Sequence, residues 1–223
     1  MKTIARIKCD YKEKFGIPRQ SGLVTNLEAK IIFEPEYRNP EALRGIEEFS
    51  HLWLIWEFSK AKREEFSPTV RPPRLGGNKR LGVFATRSPF RPNPIGLSCV
   101  RLLRIEDSAE YGKILIVDGA DLLDGTPIYD VKPYLPYADS RPDAKGGFAE
   151  KVFGYSLSVD FPEDLLKRVP TEKREALLEI LKEDPRPSYK ADGDRVYGFK
   201  FADMEIFFKV SDSTLTVTDI QTK

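Results

Sequence analysis

The chain has 223 residues, of which 40% are hydrophobic and 32% are charged, and its formal net charge is +1. This length suits one large domain or a medium domain with an appendage, and the apolar fraction is sufficient for a core, so the chain reads as an ordinary globular protein. The start turns polar at once and no apolar run approaches the ~18 residues of a membrane span, so we expect a cytoplasmic protein without a membrane partner.

Alternating apolar residues predict a first half built mainly of β-strands. The predicted strands are Ile4 to Lys8, Leu27 to Phe33, His51 to Phe58, Leu81 to Thr86, Ile95 to Ile105 and Lys113 to Leu122. One short helix is predicted after Asn39, because Asn suits the N-cap and Pro40 suits the first helical position. Many strands with few helices favour a barrel or a sandwich over a doubly wound dinucleotide-binding fold.

The pattern changes after a linker-like stretch, RPDAKGG, at residues 141–147. We therefore predict a β domain at residues 1–150 and a small α+β domain at residues 151–223. Helices are predicted after Pro162 and again from Thr171. Three alternating runs then predict an antiparallel meander at residues 195–201, 204–210 and 214–220.

The most unusual feature is an acid-free basic block from Phe66 to Ile105. It contains eight Lys or Arg residues and no Asp or Glu, while residues 1–65 sum to +1 and residues 106–223 to −8. Five prolines and four glycines lie between Val70 and Ser98 and stiffen the backbone that carries these arginines. Such an array suits a polyanion such as RNA or a nucleotide. The alternative is a solvated basic face balanced by acids from elsewhere in the fold.

Two further segments combine polar side chains with turn chemistry. Residues 11–24 form a predicted loop in which Pro18 presents Arg19 and Gln20, whose planar groups can bind a base edge, a carboxylate or a ribose. An ordinary inter-strand loop is the alternative interpretation. Residues 119–140 place several Asp and Tyr side chains beside prolines, which suits ribose binding and base stacking, although Asp124 could simply stabilise its own turn.

The scarce His and Cys residues exclude several classes of chemistry. Cys9 and Cys99 have neither metal-ligand spacing nor a CxxC motif, so we expect two buried or partly buried free thiols. The single histidine, His51, lies in an apolar run and is interpreted as a hydrogen-bonded core or cap residue. A Ser-His-Asp hydrolase and a metal site are therefore not expected.

Four long segments together resemble the TrmO family, also called the TsaA-like or YaeB-like family, whose members methylate tRNA with S-adenosylmethionine. The matching segments are YKEKFGIPRQ, FSHLWL, VRPPRLGGNKRLGVFATRSPFRPNPIGLS and DLLDGTPIYDVKPYLPYAD, and they cover most of residues 4–139. DPRPSY, at residues 184–189, resembles the start of the additional C-terminal domain of bacterial members. The resemblance implies a single-sheeted, non-Rossmann β-barrel that works as a homodimer, with its site near the subunit interface.

The resemblance also implies a reaction and a set of contacts. The implied reaction adds a methyl group to the exocyclic nitrogen of N6-threonylcarbamoyladenosine at position 37, beside the anticodon. The implied cofactor residues are Pro18, Arg19, Gln20, Ser59, Lys60, Arg87, Leu97, Asp124, Gly125, Thr126 and Pro127. At Ser59 many members have His, which leaves a backbone contact at that position.

We hypothesise further roles from the chemistry of methyl transfer, in which positioning is the main task of the enzyme. The expected tRNA-binding face comprises Arg71, Arg74, Lys79, Arg80 and Arg91. Asp130 or Tyr134 is hypothesised to accept the proton that the nitrogen loses. The alternatives are a non-catalytic RNA-binding barrel, or a methyltransferase that acts on another RNA or on a small molecule.

Overall fold

Strands dominate the structure, a computed structural model that describes residues 1–61, 65–72, 79–186 and 195–222. The strands are β1 (Ala5–Lys8), β2 (Ala29–Phe33), β3 (His51–Glu57), β4 (Thr69–Val70), β5 (Leu81–Gly82), β6 (Ile95–Ser108), β7 (Gly112–Asp118), β8 (Pro127–Pro133), β9 (Ser158–Asp160), β10 (Tyr197–Phe201), β11 (Met204–Ser211) and β12 (Thr214–Thr222). The helices are α1 (Pro136–Asp139), α2 (Glu163–Leu166) and α3 (Thr171–Lys182). The mainly β class predicted from the sequence is confirmed.

The first sheet closes on itself. Its strand order is β1-β2-β7-β6-β3-β8, and β8 pairs back with β1 through Ala5 opposite Ile128 and Arg6 opposite Pro127. Neighbouring strands are antiparallel throughout. Because side chains alternate across a strand, Leu52, Leu54 and Trp56 of β3 are buried in the core, while the residues between them face outward.

Part of the basic block forms a small separate ribbon. β4 and β5 pair antiparallel, with Thr69 opposite Gly82 and Val70 opposite Leu81. After Gly82 the chain turns into a 3₁₀ turn, Val83–Ala85, which the Thr86 hydroxyl closes by donating to the Val83 carbonyl at 2.9 Å. The strand predicted to reach Thr86 therefore ends at Gly82.

The second sheet has the order β10-β11-β12-β9, in which β9 runs parallel to β12. The meander of three strands is confirmed, while β9 was not predicted. Helix α3 buries Ala176, Leu177, Ile180 and Leu181, the face that the helical spacing indicates. In the described ranges, no helix has both the length and the apolar character needed to cross a bilayer.

The second sheet contacts the loop that follows β1. Tyr11 forms a bridge with Phe201 of β10, and the Ala202 amide donates to the Asp10 carbonyl at 2.9 Å. Gly16 packs against the Phe199 ring so closely that a Cβ there would lie 2.5 Å from the ring. The two sheets are therefore joined through residues 10–16.

Three further expectations differ from the structure. The predicted helix after Asn39 is two 3₁₀ turns, Pro40–Leu43 and Ile46–Glu48, because Gly45 takes a left-handed φ of 85° between them. Strand β7 ends at Asp118 and does not continue to Leu122. Strand β8 was not predicted, and its seven residues include two prolines and two charged side chains.

His51 is also placed differently. It begins β3 and is exposed, so its interpretation as a core residue is wrong, although Ser50 Oγ lies 3.0 Å from its Nδ1. The alternation of β3 explains this, because His51 has the outward parity and Leu52 the inward one. The expectation for the two cysteines is confirmed, since Cys9 is buried, Cys99 is partly buried, and both thiols are free.

Candidate functional site

The loop from Tyr11 to Val24, here called the site loop, carries the predicted cofactor residues Pro18, Arg19 and Gln20. Its distal end is fixed to the chain that follows β7, because the Gly22 amide donates to the Gly119 carbonyl at 2.9 Å. Both glycines have left-handed φ values, and a Cβ at Gly119 would lie 3.3 Å from the Gly22 backbone. Glycine at these two positions thus permits the close approach that positions the loop.

The C-terminal part of the chain holds the site loop from the other side. Three polar contacts serve this purpose: an ion pair of Lys173 with Asp10, a bond from the Lys200 amide to Glu13 at 2.8 Å, and a bond from the Thr25 amide to Glu179 at 2.7 Å. Together with the packing of Gly16 on Phe199, they fix both ends of the loop. The conformation of the site loop therefore depends on the second sheet and on α3.

The structure joins the site loop to the basic block through Arg87. The Arg87 guanidinium donates to the Gln20 side-chain oxygen, and the Gln20 amide in turn donates to the Arg19 carbonyl. Arg19, Gln20 and Arg87 were selected from two distant segments of the sequence, and the structure places them side by side. Arg87 is exposed, and Arg19 and Gln20 are partly buried, so a polar ligand can reach part of this cluster.

A carboxyl group that the sequence did not single out lies next to this cluster. Asp121 accepts a hydrogen bond from Ser98 Oγ, which itself accepts one from Trp56 Nε1 at 2.9 Å. Trp56 reaches Ser98 across Gly96, where a Cβ would lie only 2.2 Å from the indole ring. A polar chain therefore runs from the buried core to the carboxyl beside Arg87.

Burial raises the pKa of Asp121 from the ordinary value of 3.8 to about 6, while the hydrogen bond from Ser98 and the charge of Arg87 oppose that rise. The carboxyl therefore titrates in the range where many enzymes work, which is common at functional sites. Sequence reasoning included Asp121 only among the acids of residues 119–140. The available signal was its position just beyond the buried strand β7, where chains leave a sheet and functional residues often lie.

Asp124 occupies a different environment from the one expected. Its carboxylate accepts from the Cys9 amide at 2.9 Å and from Lys12 Nζ at 2.9 Å, and its own amide donates to the Tyr11 carbonyl. The Gly125 amide donates to the Ile7 carbonyl at 2.8 Å. The turn thus attaches β8 to the end of β1, and the carboxyl placed beside Arg87 is that of Asp121.

The remaining two residues of this turn, Thr126 and Pro127, are buried. Burial leaves their side chains little surface for a ligand, so a direct cofactor contact of this turn would have to involve Asp124 or Gly125. Asp124 keeps about a third of its side chain exposed, at 33%.

Ser59 and Lys60 follow β3 and are exposed. The Lys60 carbonyl accepts from Lys14 Nζ of the site loop at 2.7 Å, which brings this pair next to the loop. Leu97 is elsewhere: it lies on the outer face of β6, opposite Ile55 of β3, and is 54% exposed. The predicted cofactor residues therefore fall around the site loop and on the neighbouring outer face of the sheet.

The hypothesised proton acceptors share that outer face. Asp130 pairs with Ile55, the residue that also pairs with Leu97, and its carboxylate contacts the Val131 amide at 2.9 Å and Lys132 at 3.1 Å. The Tyr134 amide donates to the His51 carbonyl, and the Tyr134 ring packs 5.7 Å from that of Trp53. Both residues face away from the core side chains Trp56 and Ser98.

The predicted RNA-binding residues are partly described. Arg71, Lys79 and Arg80 are exposed on or beside the β4–β5 ribbon, Arg91 is half-buried, and Arg74 lies outside the described residues. Among the residues that the structure describes, none of these four cations has an ion pair with an acid. Arg104, in contrast, pairs with both Glu28 and Glu106. Arg104 thus has balancing acids of the kind that the alternative interpretation requires, whereas the described residues show none paired with the ribbon cations.

Over the described part of the chain, no group of three or more His, Cys, Asp or Glu side chains could hold a metal ion.

Both parts of the chain match known families. A family model described as the tRNA-methyltransferase O N-terminal domain matches residues 6–140, and one described as the TrmO C-terminal domain matches residues 154–223. The chain is 42% identical over 225 residues to the tRNA (adenine(37)-N6)-methyltransferase of Escherichia coli, covering 96% of this chain and 94% of that protein.

A named relative and a crystal structure, both from Pseudomonas aeruginosa, are also similar. One, named a putative S-adenosylmethionine-dependent methyltransferase, is 40% identical over 211 residues, which cover 91% of this chain and 89% of that protein. The other is a crystal structure of TrmO that is 33% identical, with a TM-score of 0.79 over 99% of this chain and 95% of that one. The similarity therefore extends over both sheets.

Proposed function

Because the chain belongs to the tRNA-methyltransferase O family, we propose that it is an enzyme that transfers a methyl group from S-adenosylmethionine to N6 of adenosine 37 in tRNA. The names of full-length relatives support both the activity and the cofactor. The observation that carries the proposal is the convergence of Arg19, Gln20, Arg87 and Asp121 from three segments of the chain. A tRNA substrate implies a cytoplasmic protein.

The proposed substrate is N6-threonylcarbamoyladenosine, and the product is its N6-methyl derivative. This substrate carries a carboxylate on its threonyl group, and guanidinium groups bind carboxylates through paired hydrogen bonds. Arg19 and Arg87 supply such groups, one from the site loop and one from the basic block. S-adenosylmethionine also carries a carboxylate, so the two arginines suit either partner.

The residues of the site fit the cofactor in charge and polarity. A cationic sulfonium or ammonium group suits the carboxyl of Asp121, because a nearby positive charge favours the ionised form that burial disfavours. Arg19 and Gln20 of the site loop, with Ser59, Lys60 and Arg87 beside it, would hold the remaining polar groups, while the buried Pro18 would support the loop from within. Leu97, Asp124 and Gly125 complete the proposed contacts, with Thr126 and Pro127 supporting the turn from within.

When bound, S-adenosylmethionine supplies a methyl group with a good leaving group, so the protein needs no nucleophile of its own. Its side chains would hold the adenosine nitrogen in line with that methyl group, and positioning of this kind supplies roughly 7–11 kcal/mol. We retain Asp130 and Tyr134 as proposed proton acceptors at the nitrogen. The support is that Asp130 and Leu97 flank the same residue, Ile55, on the outer face of the sheet.

The assembly is proposed to be a homodimer of two-domain protomers. Ile95 and Leu97 expose apolar surface on the outer face of β6, which a second copy would cover. The proposed domains are residues 1–150 and 151–223. Their support is that the matched families cover residues 6–140 and 154–223, and that the first sheet ends at Pro133 while the second begins at Ser158.

The decisive experiment combines nucleoside analysis with calorimetry. Mass spectrometry of anticodon-loop nucleosides from a deletion strain should show loss of the methylated nucleoside, and complementation should restore it. Titration of the purified protein with S-adenosylmethionine should release heat. A persistent methylated product in the deletion strain would overturn the tRNA assignment. Absence of heat would instead favour the non-catalytic RNA-binding alternative, while heat with unchanged tRNA would favour another RNA or a small molecule.

A further inference from the structure

Two phenylalanine rings are exposed next to each other on the basic block. Phe66 is 55% exposed and Phe84 is 72% exposed, and their ring centroids lie 6.3 Å apart with an interplanar angle of 26°. A single exposed aromatic residue is ordinary on a protein surface. A stacked and exposed pair differs from a single ring, because the two rings together offer an aromatic surface that a ligand could cover.

A guanidinium group completes this surface. Arg91 Cζ lies 5.8 Å from the centroid of the Phe84 ring. Arg91 is held in place by hydrogen bonds to the carbonyls of Thr86 at 2.6 Å and Val83 at 3.3 Å. Val83 is itself buried, so the turn that carries Phe84 is anchored in the protein. The three side chains therefore form a fixed surface of two rings and one planar cation.

Cations outnumber acids around this surface, and the neighbouring acid in the chain is the exposed Glu65. Phe66 leads into β4, and the Val83 amide, next to Phe84, donates to the Pro68 carbonyl at 2.9 Å. Lys79 and Arg80 are exposed on the approach to β5, the partner strand in the ribbon. The chain from Phe66 to Ile105 contains no acid. A ligand at this surface would therefore meet aromatic faces and cations together.

We propose that Phe66, Phe84 and Arg91 form a stacking platform for unpaired bases of the tRNA anticodon loop. This inference rests on the proposed function and adds a site to it. Unstacked bases lay their faces on aromatic rings and guanidinium planes, while their phosphates contact neighbouring Lys and Arg side chains. Paired RNA keeps its bases inside the helix, so a duplex could use only the cations.

The test compares loop RNA with duplex RNA in the full-length protein. The probes are a fluorescein-labelled RNA hairpin with an adenosine-rich loop and a labelled RNA duplex of equal length, both followed by fluorescence anisotropy. Phe84→Ala should raise the Kd for the hairpin about 5- to 150-fold, the equivalent of one stacked base, and should change the Kd for the duplex less than 3-fold. Phe84→Trp should retain hairpin binding, and its added tryptophan emission should be quenched by the hairpin.

Phe153→Ala is the matched control, because Phe153 is at least as exposed, at 85%, but lies outside the basic block, and it should leave both Kd values unchanged. Equal effects of Phe84→Ala on hairpin and duplex, or no effect on either, would overturn the platform. A change in the oligomeric state of Phe84→Ala in sedimentation would also overturn the platform, because Phe84 would then contact a second copy of the chain. Wild-type protein that methylates tRNA in the same preparation shows that a negative result concerns the platform and not the proposed function.

Discussion

Arg87 and Asp121 come from separate segments of the chain, and the charge of the guanidinium opposes the rise in pKa that burial imposes on the carboxyl. The balance leaves Asp121 with a pKa of about 6. The same carboxyl accepts a hydrogen bond from the Ser98 hydroxyl, which in turn accepts one from Trp56 Nε1. Hydrogen bonds therefore connect the Asp121 carboxyl to the core.

The raised pKa of Asp121 predicts a specific dependence of stability on pH. The folded state binds the proton more tightly than the unfolded state, so this group stabilises the fold fully below about pH 4 and loses that contribution as pH rises to about 6. The rise from 3.8 to about 6 corresponds to at most about 3 kcal/mol. Urea unfolding of the wild type and of Asp121→Asn across this pH range measures the effect. The difference between their free energies of unfolding should shrink as pH falls. A difference that does not vary with pH would contradict it.

The cations on and beside the β4–β5 ribbon, which pair with no acid among the described residues, predict the salt dependence of tRNA binding. Arg80→Ala should weaken binding and reduce the slope of log K against log salt by roughly 0.7–0.9 for a lost phosphate contact. Arg104→Ala is the control, because Arg104 is already paired with Glu28 and Glu106. Filter binding over a salt series measures both slopes. If the two variants changed the slope equally, the ribbon would not be the tRNA face.

The contacts of Asp124 predict separate effects on stability and binding. Asp124→Ala leaves the Cys9 amide without its partner and should cost about 1–3 kcal/mol in the free energy of unfolding. Lys12→Met removes the ion pair, whose side chains are about a third exposed, and the bond from Lys12 Nζ to the Cys9 carbonyl, and should cost about 1–2 kcal/mol. Calorimetry of folded Asp124→Ala should show a loss of S-adenosylmethionine affinity with nearly unchanged tRNA retention. Unchanged cofactor affinity would assign Asp124 a purely structural role.

The packing of Gly16 predicts that the second sheet controls the site loop. Gly16→Ala would force a Cβ within 2.5 Å of the Phe199 ring, so the loop or the ring must shift. We expect a KM increase for S-adenosylmethionine of about 10-fold, which corresponds to about 1.4 kcal/mol, with unchanged tRNA affinity. Gly45→Ala is the control, because Gly45 has a similar left-handed φ but no neighbour within 4 Å. Equal kinetics for the two variants would show that the contact with Phe199 does not position the loop.

Much of the fold follows from local patterns. The alternation in β1 and β2 and the spacing of Ala176, Leu177, Ile180 and Leu181 in α3 identify buried faces correctly, because one side of each element faces a core. Strand β8 was not predicted, because prolines and charged residues have a low β propensity. In the structure its charged residues belong to an outward face, and Pro133 lies at its exposed end.

The site was harder to predict than the strands. Pro18, Arg19, Gln20 and Arg87 could be selected from stiff, polar segments, and their convergence follows from the closed sheet order and not from any local pattern. Asp121 and Asp124 are neighbours in sequence with the same chemistry. Tertiary contacts alone distinguish them, since Lys12 and the Cys9 amide bind Asp124 while Ser98 binds Asp121.

The anchoring of the site loop also bears on when the protein becomes active during synthesis. Asp10 pairs with a residue 163 positions later, and Glu13 with one 187 positions later. Contacts of such long separation form late, because the intervening chain must first be made and ordered. A nascent chain on the ribosome would therefore expose Arg19 before it could orient it, and methylation would have to wait for the emergence of the final strands.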